Sequence, residues 1–172
     1  HKSIKINKMS DRKTPLYIAI EEENVDFAKT LLAKDNVQAN QSNIDEEGST
    51  PLLAASMKGF TEIVKCILNK ATEIDINQVN KKKTTCLNIA CEMNHLEIVK
   101  MFLKYDNIDV NIASADGSTP LASAIKEGQY DIVEALITTK DIDVNTVEAE
   151  EGMTPLLRAI ENSEHEIVQL LL

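Results

Sequence analysis

Aromatic residues are scarce in this chain, and several functions depend on them. The 172 residues include no Trp, and aromatic residues make up only 3%. Aromatic side chains provide the surfaces on which proteins stack bases and planar cofactors. Basic residues are also in the minority, with 18 Lys and Arg against 28 Asp and Glu, which gives a formal net charge of −10. Because clustered cations are needed to bind phosphate backbones, this charge disfavours nucleic acid as a partner.

Long apolar runs, export signals and paired cysteines are missing as well. No uninterrupted apolar run approaches the roughly 20 residues of a membrane-spanning helix, so direct membrane insertion is not expected. The first ten residues, HKSIKINKMS, lack the apolar segment of a signal peptide. Three Cys, an odd number, do not make a disulfide framework. These features predict a folded protein in a reducing, cytoplasmic (intracellular) compartment.

The tripeptide Thr-Pro-Leu recurs along the chain at nearly constant spacing, and Thr85-Cys86-Leu87 is a variant of it. The five Thr are Thr14, Thr50, Thr85, Thr119 and Thr154, at intervals of 36, 35, 34 and 35 residues. An Ala follows five residues after each Thr, and a large hydrophobic residue follows thirteen residues after it. Those hydrophobic residues are Phe27, Ile63, Ile98, Ile132 and Ile167. A fixed period of this length is typical of repeat proteins.

Each repeat contains the signals of two short helices. Thr caps the free amides at a helix start, and Pro fits the first helical position because its missing N–H has no partner to lose. The first helix should end near Gly59, Asn94, Gly128 or Ser163, since Gly and Asn tolerate a left-handed backbone. A second helix, such as 62–68, has apolar residues on one face. Because neither helix could bury that face alone, the predicted fold is an all-α solenoid of stacked helix-turn-helix units.

These residues resemble ankyrin repeats from about Ile4 to Leu172. The shared features are the Thr-Pro-Leu helix start, the Gly between helices, the Glu-Ile-Val of the second helix and the Asp-Val-Asn exit, with an intact lead-in at 45–50. The resemblance implies an ankyrin-repeat solenoid with hairpin-like finger loops and a non-catalytic role in protein–protein interaction. It predicts a single domain over 1–172, with approximate repeats 9–44, 45–79, 80–113, 114–148 and 149–172, and with 1–8 as the tail of a preceding repeat.

The chain departs from the family's pattern at several positions. The family usually has His after the Leu of the tripeptide, and its ring is expected to tie neighbouring turns together. No copy has His there; the residues are Tyr17, Leu53, Asn88, Ala122 and Leu157. The Gly between helices is replaced by Glu23, Asn94 and Ser163, and the Gly of the lead-in by Arg12 and Lys83. We therefore expect the outer repeats and the third loop to be looser than an idealised array.

Neither end of the sequence shows a polar capping face, so we expect a fragment of a longer array. Two interpretations of function follow. The chain is a binding scaffold in its own right, or it is an accessory ankyrin segment of a larger enzyme, channel or effector whose activity lies outside these residues.

Catalytic and metal-binding motifs are weak in this sequence. Cys86, Cys91 and His95 have the spacing C-x4-C-x3-H, but each occupies a structural position of the repeat, so we interpret the thiols as buried and expect no metal. The Glu runs at 21–23 and 148–151 are interpreted as solvated charge. We find no nucleophile–base pair, glycine-rich phosphate loop or His-Glu-x-x-His, so neither enzymatic activity nor a cofactor is expected.

In the ankyrin family, partners are usually bound by the finger loops before each Thr and by the exposed end of the first helix. The resemblance places these partner-binding positions at Asp11, Lys13, Glu21, Glu46, Glu47, Met57, Lys58, Lys81, Lys82, Lys83, Glu92, Met93, Asp116, Lys126, Glu150, Glu151 and Met153. More of the charges are acidic than basic, and three of the basic residues form an island at 81–83. We therefore expect a monomer that binds a protein or peptide partner with basic patches.

The Asn near the end of each repeat matches a position that is sometimes hydroxylated in the family. These residues are Asn40, Asn77, Asn111 and Asn145. The simpler interpretation is that each is a turn residue that bonds its own loop.

Overall fold

The computed structural model describes residues 5–43, 47–70, 74–147 and 152–172. This part of the chain contains ten α-helices and no strand, which confirms the predicted all-α fold. The helices form five consecutive pairs. They are α1 (Pro15–Glu21), α2 (Val25–Leu32), α3 (Pro51–Met57), α4 (Thr61–Lys70), α5 (Cys86–Glu92), α6 (Leu96–Phe102), α7 (Pro120–Lys126), α8 (Tyr130–Ile137), α9 (Pro155–Glu161) and α10 (His165–Leu171).

The first helix of every pair begins directly after the repeated Thr. In each case the Thr Oγ1 accepts a hydrogen bond from the backbone N–H three residues later, at 3.0 to 3.3 Å. Four of these helices have Pro at the first position, and Cys86 takes that place in α5. At α5 the Asn88 side chain also accepts from the Thr85 N–H, which completes a capping box.

The turn between the two helices of a pair has a left-handed residue in all five copies. Gly59 and Gly128 have φ values of 70° and 63°, and the three residues that replace Gly keep the same conformation. Their φ values are 58° at Glu23, 57° at Asn94 and 60° at Ser163. The backbone conformation of the turn is therefore preserved, although it is strained for most residues that have a Cβ. The expected looseness of these repeats concerns mobility and stays a prediction.

The chain divides into two compact units, His1–Asp75 with α1 to α4 and Ile76–Leu172 with α5 to α10. In the first unit α1 contacts α3 and α2 contacts α4. In the second unit α7 contacts both α5 and α9, and α8 contacts both α6 and α10. Within each unit, corresponding helices of successive pairs therefore lie side by side, as the stacking argument predicted.

Small and large apolar side chains alternate in the core of these stacks. The repeated Ala is at most 9% exposed in every pair, which lets the helices approach closely. Ile63, Ile132, Leu136 and Phe102 fill the space between them and are fully buried. Removal of this apolar surface from water, at about 25 cal/mol per Å², is the main force that holds such short helices in place.

No helix in the described ranges combines the length and the hydrophobicity that a membrane crossing requires.

Candidate protein-interaction surface

The first finger loop is a tight hairpin turn. Ser10 and Lys13 exchange two backbone hydrogen bonds, each 2.9 Å long. The two residues between them, Asp11 and Arg12, both have left-handed φ values, 49° and 65°, as in a type I′ turn. This geometry places the predicted site residue Asp11 at the exposed tip of the loop.

Lys13 connects this finger to the end of the first helix. Its Nζ lies 2.6 Å from Oε1 and 2.7 Å from Oε2 of Glu21, the last residue of α1. The same ammonium group lies 5.6 Å from the centre of the Tyr17 ring. Two predicted partner-binding residues from different elements are thus brought into direct contact, and the finger and helix end form one continuous surface.

The helix α3, the first helix of the second pair, ends in an apolar residue that is followed by a basic one. Met57 is 44% exposed, and Lys58 follows it as the C-cap of α3. The Lys58 Nζ lies 2.9 Å from Oε1 of Glu23, in the turn of the preceding pair. Because the Glu23 side chain is 68% exposed, this ion pair orients Lys58 more than it stabilises the fold.

The second finger is closed by a hydrogen bond from the Asn43 N–H to the Ser49 carbonyl oxygen, at 3.0 Å. Glu47 is exposed in this loop, whereas the predicted site residue Glu46 lies outside the described residues.

The basic island at 81–83 lies in a hydrogen-bonded turn of the second unit. Asn80 Oδ1 accepts from the N–H groups of Lys82 and Thr84, at 2.9 and 3.0 Å. Lys83 takes the left-handed conformation, with φ of 56°, in place of the expected Gly. The side chains of Lys81, Lys82 and Lys83 are all exposed. The structure therefore holds three cationic side chains on one ordered loop.

The acidic residue of the fourth finger, Asp116, makes its hydrogen bonds within the same loop. Asp116 Oδ1 accepts from the Ser114 hydroxyl at 2.5 Å and from the Ser118 N–H at 3.0 Å. These hydrogen bonds, with that of the Ser114 side chain the largest contribution, lower the pKa of Asp116 below its ordinary value. The Ala115 N–H donates to the Lys82 carbonyl oxygen at 2.9 Å and so joins the fourth finger to the third.

The ends of α5 and α7 in the second unit carry Glu92, Met93 and Lys126, which are all exposed, with Met93 at 41%. Two amide side chains from following pairs bind the last carbonyls of these helices. Gln129 Nε2 donates to Glu92 O at 3.5 Å, and Asn162 Nδ2 donates to Lys126 O at 3.3 Å. Backbone groups that would otherwise be unsatisfied at the helix ends are thereby bound.

In the fifth repeat only part of the predicted surface is described. Met153 is partly exposed before the helix start, and the predicted site residues Glu150 and Glu151 lie outside the described residues.

Two of the repeat-exit Asn residues, Asn77 and Asn111, link one pair to the next. Asn77 donates to Asn107 O at 2.8 Å and accepts from the Asp109 N–H at 2.8 Å. Asn111 makes the same two bonds to residues 141 and 143. The simple interpretation, a turn residue bonding its own loop, therefore misses the main partners, which belong to the exit loop of the following repeat. Hydroxylation of these residues stays a prediction.

Asn7 and Asn40 also bond to backbone groups beyond their own loops. Asn7 makes the equivalent pair of bonds, to Asn36 O and from the Gln38 N–H, at 2.7 and 2.8 Å. The sequence contains a signal for it, because Asn7 precedes Asn40 by one repeat length. Asn40 itself accepts from the Leu52 N–H at 3.1 Å.

At the position where the resemblance predicts His, Asn88 links the start of α5 to the loop that precedes α7. Its side chain is buried, with 3% of the residue exposed. Oδ1 accepts from the Thr85 N–H at 2.9 Å, while Nδ2 donates to Ile112 O, 24 residues away, at 2.9 Å. That Asn can donate and accept at once is evident from the sequence, whereas its partner 24 residues away depends on the fold.

The cysteines fit structural positions. Cys86 is 5% exposed and Cys91 is fully buried. Burial strongly raises the pKa of the Cys91 thiol, so this side chain stays protonated at neutral pH and is a poor metal ligand. Within residues 5–43, 47–70, 74–147 and 152–172, no three His, Cys, Asp or Glu side chains are grouped so that they could hold a metal ion.

Comparison with known proteins agrees with this architecture. A family model described as ankyrin repeats (3 copies) matches residues 1–80, 36–114, 72–148 and 107–172. A Saccharomyces cerevisiae protein named probable 26S proteasome regulatory subunit p28 is 27% identical over 135 residues, which cover 78% of this chain and 58% of that protein. The putative ankyrin repeat protein FPV031 of fowlpox virus is 31% identical over 145 residues, 82% of this chain and 40% of that protein.

A third relative is much longer. The ankyrin repeat domain-containing protein SAT10 of Stachybotrys chartarum is 26% identical over 114 residues, which cover 64% of this chain and 6% of that protein. The chain thus spans between 6% and 58% of the length of these three relatives.

Proposed function

Because the chain belongs to the ankyrin-repeat family, whose members are generally protein–protein interaction modules, we propose that it is a non-catalytic scaffold for a protein or peptide partner. The binding surface in this proposal consists of the finger loops and the ends of the first helices. We call it the finger surface; its members are the seventeen partner-binding positions given above.

The observation that carries the proposal is the exposure of apolar side chains at fixed places among charged ones. Met57 and Met93 are 44% and 41% exposed, each at the end of a helix that is held by capping and packing. The flexible thioether side chain of Met adapts to differently shaped partners. Because the backbone around these side chains is already ordered, less conformational entropy is lost when a partner binds.

The charges of the finger surface suggest what kind of partner it binds. Glu47 is exposed on the second finger, and Glu46, Glu150 and Glu151 belong to the same class of loop in the sequence. A partner with basic patches would be attracted by these carboxylates and by the net charge of −10. The basic island at 81–83 would in turn contact an acidic group of the same partner. We therefore propose a partner with basic patches and one acidic segment.

The test begins with affinity capture of a partner by the 172-residue chain and measurement of its dissociation constant by calorimetry. One variant replaces Glu46, Glu47, Glu150 and Glu151 with Gln. A matched control makes the same charge change on the second helices, at Glu62, Glu97, Glu134 and Glu166, which are all exposed. We expect the first variant to weaken binding about tenfold or more at low salt and the control to change it less than about twofold. Equal effects of both variants would refute the finger surface as the binding site.

The second candidate function is an accessory role in a larger protein. It is favoured by the small share of the relatives that the chain covers, 6% in one and 40% in another. The complete reading frame decides whether a further domain exists. If it does, deletion of these repeats should leave the isolated activity of that domain intact and abolish its recruitment to the partner.

A further inference from the structure

The fourth finger contains the one position in the sequence, Asp116-Gly117, where an Asp or Asn is followed directly by Gly. An aspartyl residue before Gly is especially prone to isomerise, because Gly has no side chain to shield its own backbone nitrogen. That nitrogen can therefore reach the carboxyl carbon of the Asp side chain. The finger thus includes a peptide link that is reactive unless the fold restrains it.

Isomerisation of such a link needs no enzyme and no reagent other than water. The Gly117 nitrogen attacks Cγ of Asp116; a C–N bond forms, the Cγ–O bond breaks, and the amide proton and the carboxyl hydroxyl leave together as water. The product is a five-membered succinimide. Water then reopens the ring. When it cleaves the bond between this nitrogen and the main-chain carbonyl carbon of Asp116, the chain continues through the side chain as isoaspartate.

Hydrogen bonds of the fourth finger hold the carboxylate that would be attacked. Asp116 Oδ1 accepts from the Ser114 hydroxyl at 2.5 Å and from the Ser118 N–H at 3.0 Å. Both bonds favour the ionised form, and with the Ser114 side chain as the largest cause they lower the pKa of Asp116. The lysines of the adjoining third finger, at 81–83, are not among the causes of this shift. At neutral pH, fewer Asp116 carboxyl groups then carry the proton with which the hydroxyl leaves.

The nitrogen that would attack is held as well. The Gly117 N–H donates to the Ser114 carbonyl oxygen at 3.0 Å, and the Ser114 N–H donates to the Ser118 carbonyl oxygen at 3.0 Å, which closes the loop. Gly117 has a φ of 87°, a conformation that strains residues with a Cβ. The turn therefore favours Gly at the position where Gly makes the link reactive, while its hydrogen bonds oppose the attack.

We propose that Asp116 is the main site of spontaneous isoaspartate formation in this chain, and that the folded fourth finger suppresses the reaction through the Ser114 hydroxyl and the Gly117 N–H. Conversion inserts the Cβ of Asp116 into the main chain between residues 114 and 118, whose backbone groups pair across the turn. It would therefore also disturb the hydrogen bond from the Ala115 N–H to the Lys82 carbonyl oxygen, which joins the fourth finger to the third. This inference does not depend on partner binding.

Peptide mapping of the 172-residue chain after prolonged incubation at neutral pH tests the proposal, with a synthetic peptide of residues 110–122 incubated beside it as the unfolded reference. Trypsin releases Tyr105–Lys126 from the chain, and electron-transfer fragmentation in the mass spectrometer locates isoaspartate at each Asp. Isoaspartate at Asp116 should accumulate about tenfold more slowly in the folded chain than in the peptide, since at least two hydrogen bonds must break before the attack. Asp106 and Asp109, in the same tryptic peptide, should stay unchanged.

Substitutions at Ser114 separate the effect of the hydroxyl from that of the rest of the turn. Ser114→Ala removes the hydroxyl but keeps the backbone carbonyl that binds the Gly117 N–H, and it should raise the rate about threefold to tenfold. Ser114→Thr keeps a hydroxyl and should react like the unchanged chain. Ser123→Ala, which lies in α7 outside the finger, should also leave the rate unchanged. Circular dichroism of the three variants establishes that the rates compare folded chains.

Equal rates at Asp116 in the folded chain and in the peptide would overturn the proposal. So would isoaspartate that forms faster at Asp106 or Asp109 than at Asp116. If Ser114→Ala reacts no faster than Ser123→Ala, the role assigned to the Ser114 hydroxyl is wrong.

Discussion

The buried amide of Asn88 joins the start of α5 to the loop that leads from α6 to α7. It accepts from the Thr85 N–H and donates to Ile112 O, each at 2.9 Å. A buried polar group left without its partner costs more than an ordinary hydrogen bond contributes, because it cannot return to water. Asn88 therefore has a role in stability that its neighbours in the same register, Leu53 and Ala122, do not share.

We predict that Asn88→Ala lowers the free energy of unfolding by about 1 to 3 kcal/mol, because the Thr85 N–H and the Ile112 carbonyl oxygen each lose a hydrogen bond to the Asn88 side chain. Urea denaturation followed by circular dichroism measures the change. Asn107→Ala serves as the control, because that side chain is exposed in the same unit. A loss at Asn88 no larger than that at Asn107 would show that the amide link contributes nothing.

The carboxylate of Asp116 is likewise engaged within its own finger. Its pKa is lowered from the ordinary 3.8, and the Ser114 hydroxyl is the largest cause. We predict that Ser114→Ala raises the pKa of Asp116 towards 3.8, as followed by NMR titration of its side-chain carbon. Ser123→Ala, a Ser of the same unit outside the finger, should leave this titration unchanged.

The sign of the pH dependence follows from the direction of this shift. A carboxyl group whose pKa is lower in the folded state stabilises the fold above the unfolded pKa, and this contribution disappears as the pH falls through the folded value. The stability advantage of the unchanged chain over Ser114→Ala should therefore be complete well above pH 3.8 and vanish below the folded pKa. An advantage that grows in acid would contradict the assignment.

The turn between paired helices keeps one backbone conformation with different residues. Gly128 and Ser163 have φ values of 63° and 60°. For residues with a Cβ, the left-handed conformation costs roughly 1 to 2 kcal/mol, whereas Gly adopts it freely but loses more entropy on folding. Glu23 and Ser163 therefore hold a strained conformation that Gly would relieve, whereas Asn94 tolerates it better.

We predict that Ser163→Gly raises the free energy of unfolding by up to about 1 kcal/mol, measured by urea denaturation. Ser163→Ala retains a Cβ in the same conformation and should bring no gain. Gly128→Ala should reduce stability, because a residue with a Cβ is strained at φ of 63°; the new Cβ would also lie 2.6 Å from Oε1 of Glu164, whose flexible side chain has to move. Equal gains from Gly and Ala at 163 would exclude backbone strain as the cause.

The helix starts could be predicted from the sequence because capping is local. Thr14 and its four counterparts bind an N–H only three residues away, so the tripeptide alone contains both partners. The bonds of Asn77 to residues 107 and 109 cross a whole repeat and depend on how the pairs pack. The contact of Lys13 with Glu21 similarly required the loop to fold back on its helix. Local signals therefore predicted the elements, while the links between them came from the structure.

Within each unit, stability is expected to be the sum of the stability of each pair and of the interfaces between neighbours. The α7–α8 pair has contacts on both sides, with α5 and α6 and with α9 and α10. In the 172-residue chain the α9–α10 pair packs on α7 and α8, and its Leu157 and Ile160 are 50% and 55% exposed. Its helices should consequently open more readily than α7 and α8 in native-state hydrogen exchange.

Ile125 and Ile160 form a matched pair that tests this view, because they occupy the same register position and are 0% and 55% exposed. We predict that Ile125→Ala lowers the free energy of unfolding by about 2 to 4 kcal/mol, since it leaves a cavity between α7 and α9. Ile160→Ala should change it by less than about 0.5 kcal/mol, because that side chain is already more than half exposed.

We also predict which helices lose amide protection in the Ile125→Ala variant. Loss of the interface at Ile125 uncouples the last pair first, so amide protection in α9 and α10 should fall by a larger factor than protection in α5 and α6. Hydrogen exchange measured by NMR resolves the helices individually. If protection falls equally in all six helices of the unit, the pairs unfold as one cooperative body and the nearest-neighbour description does not apply.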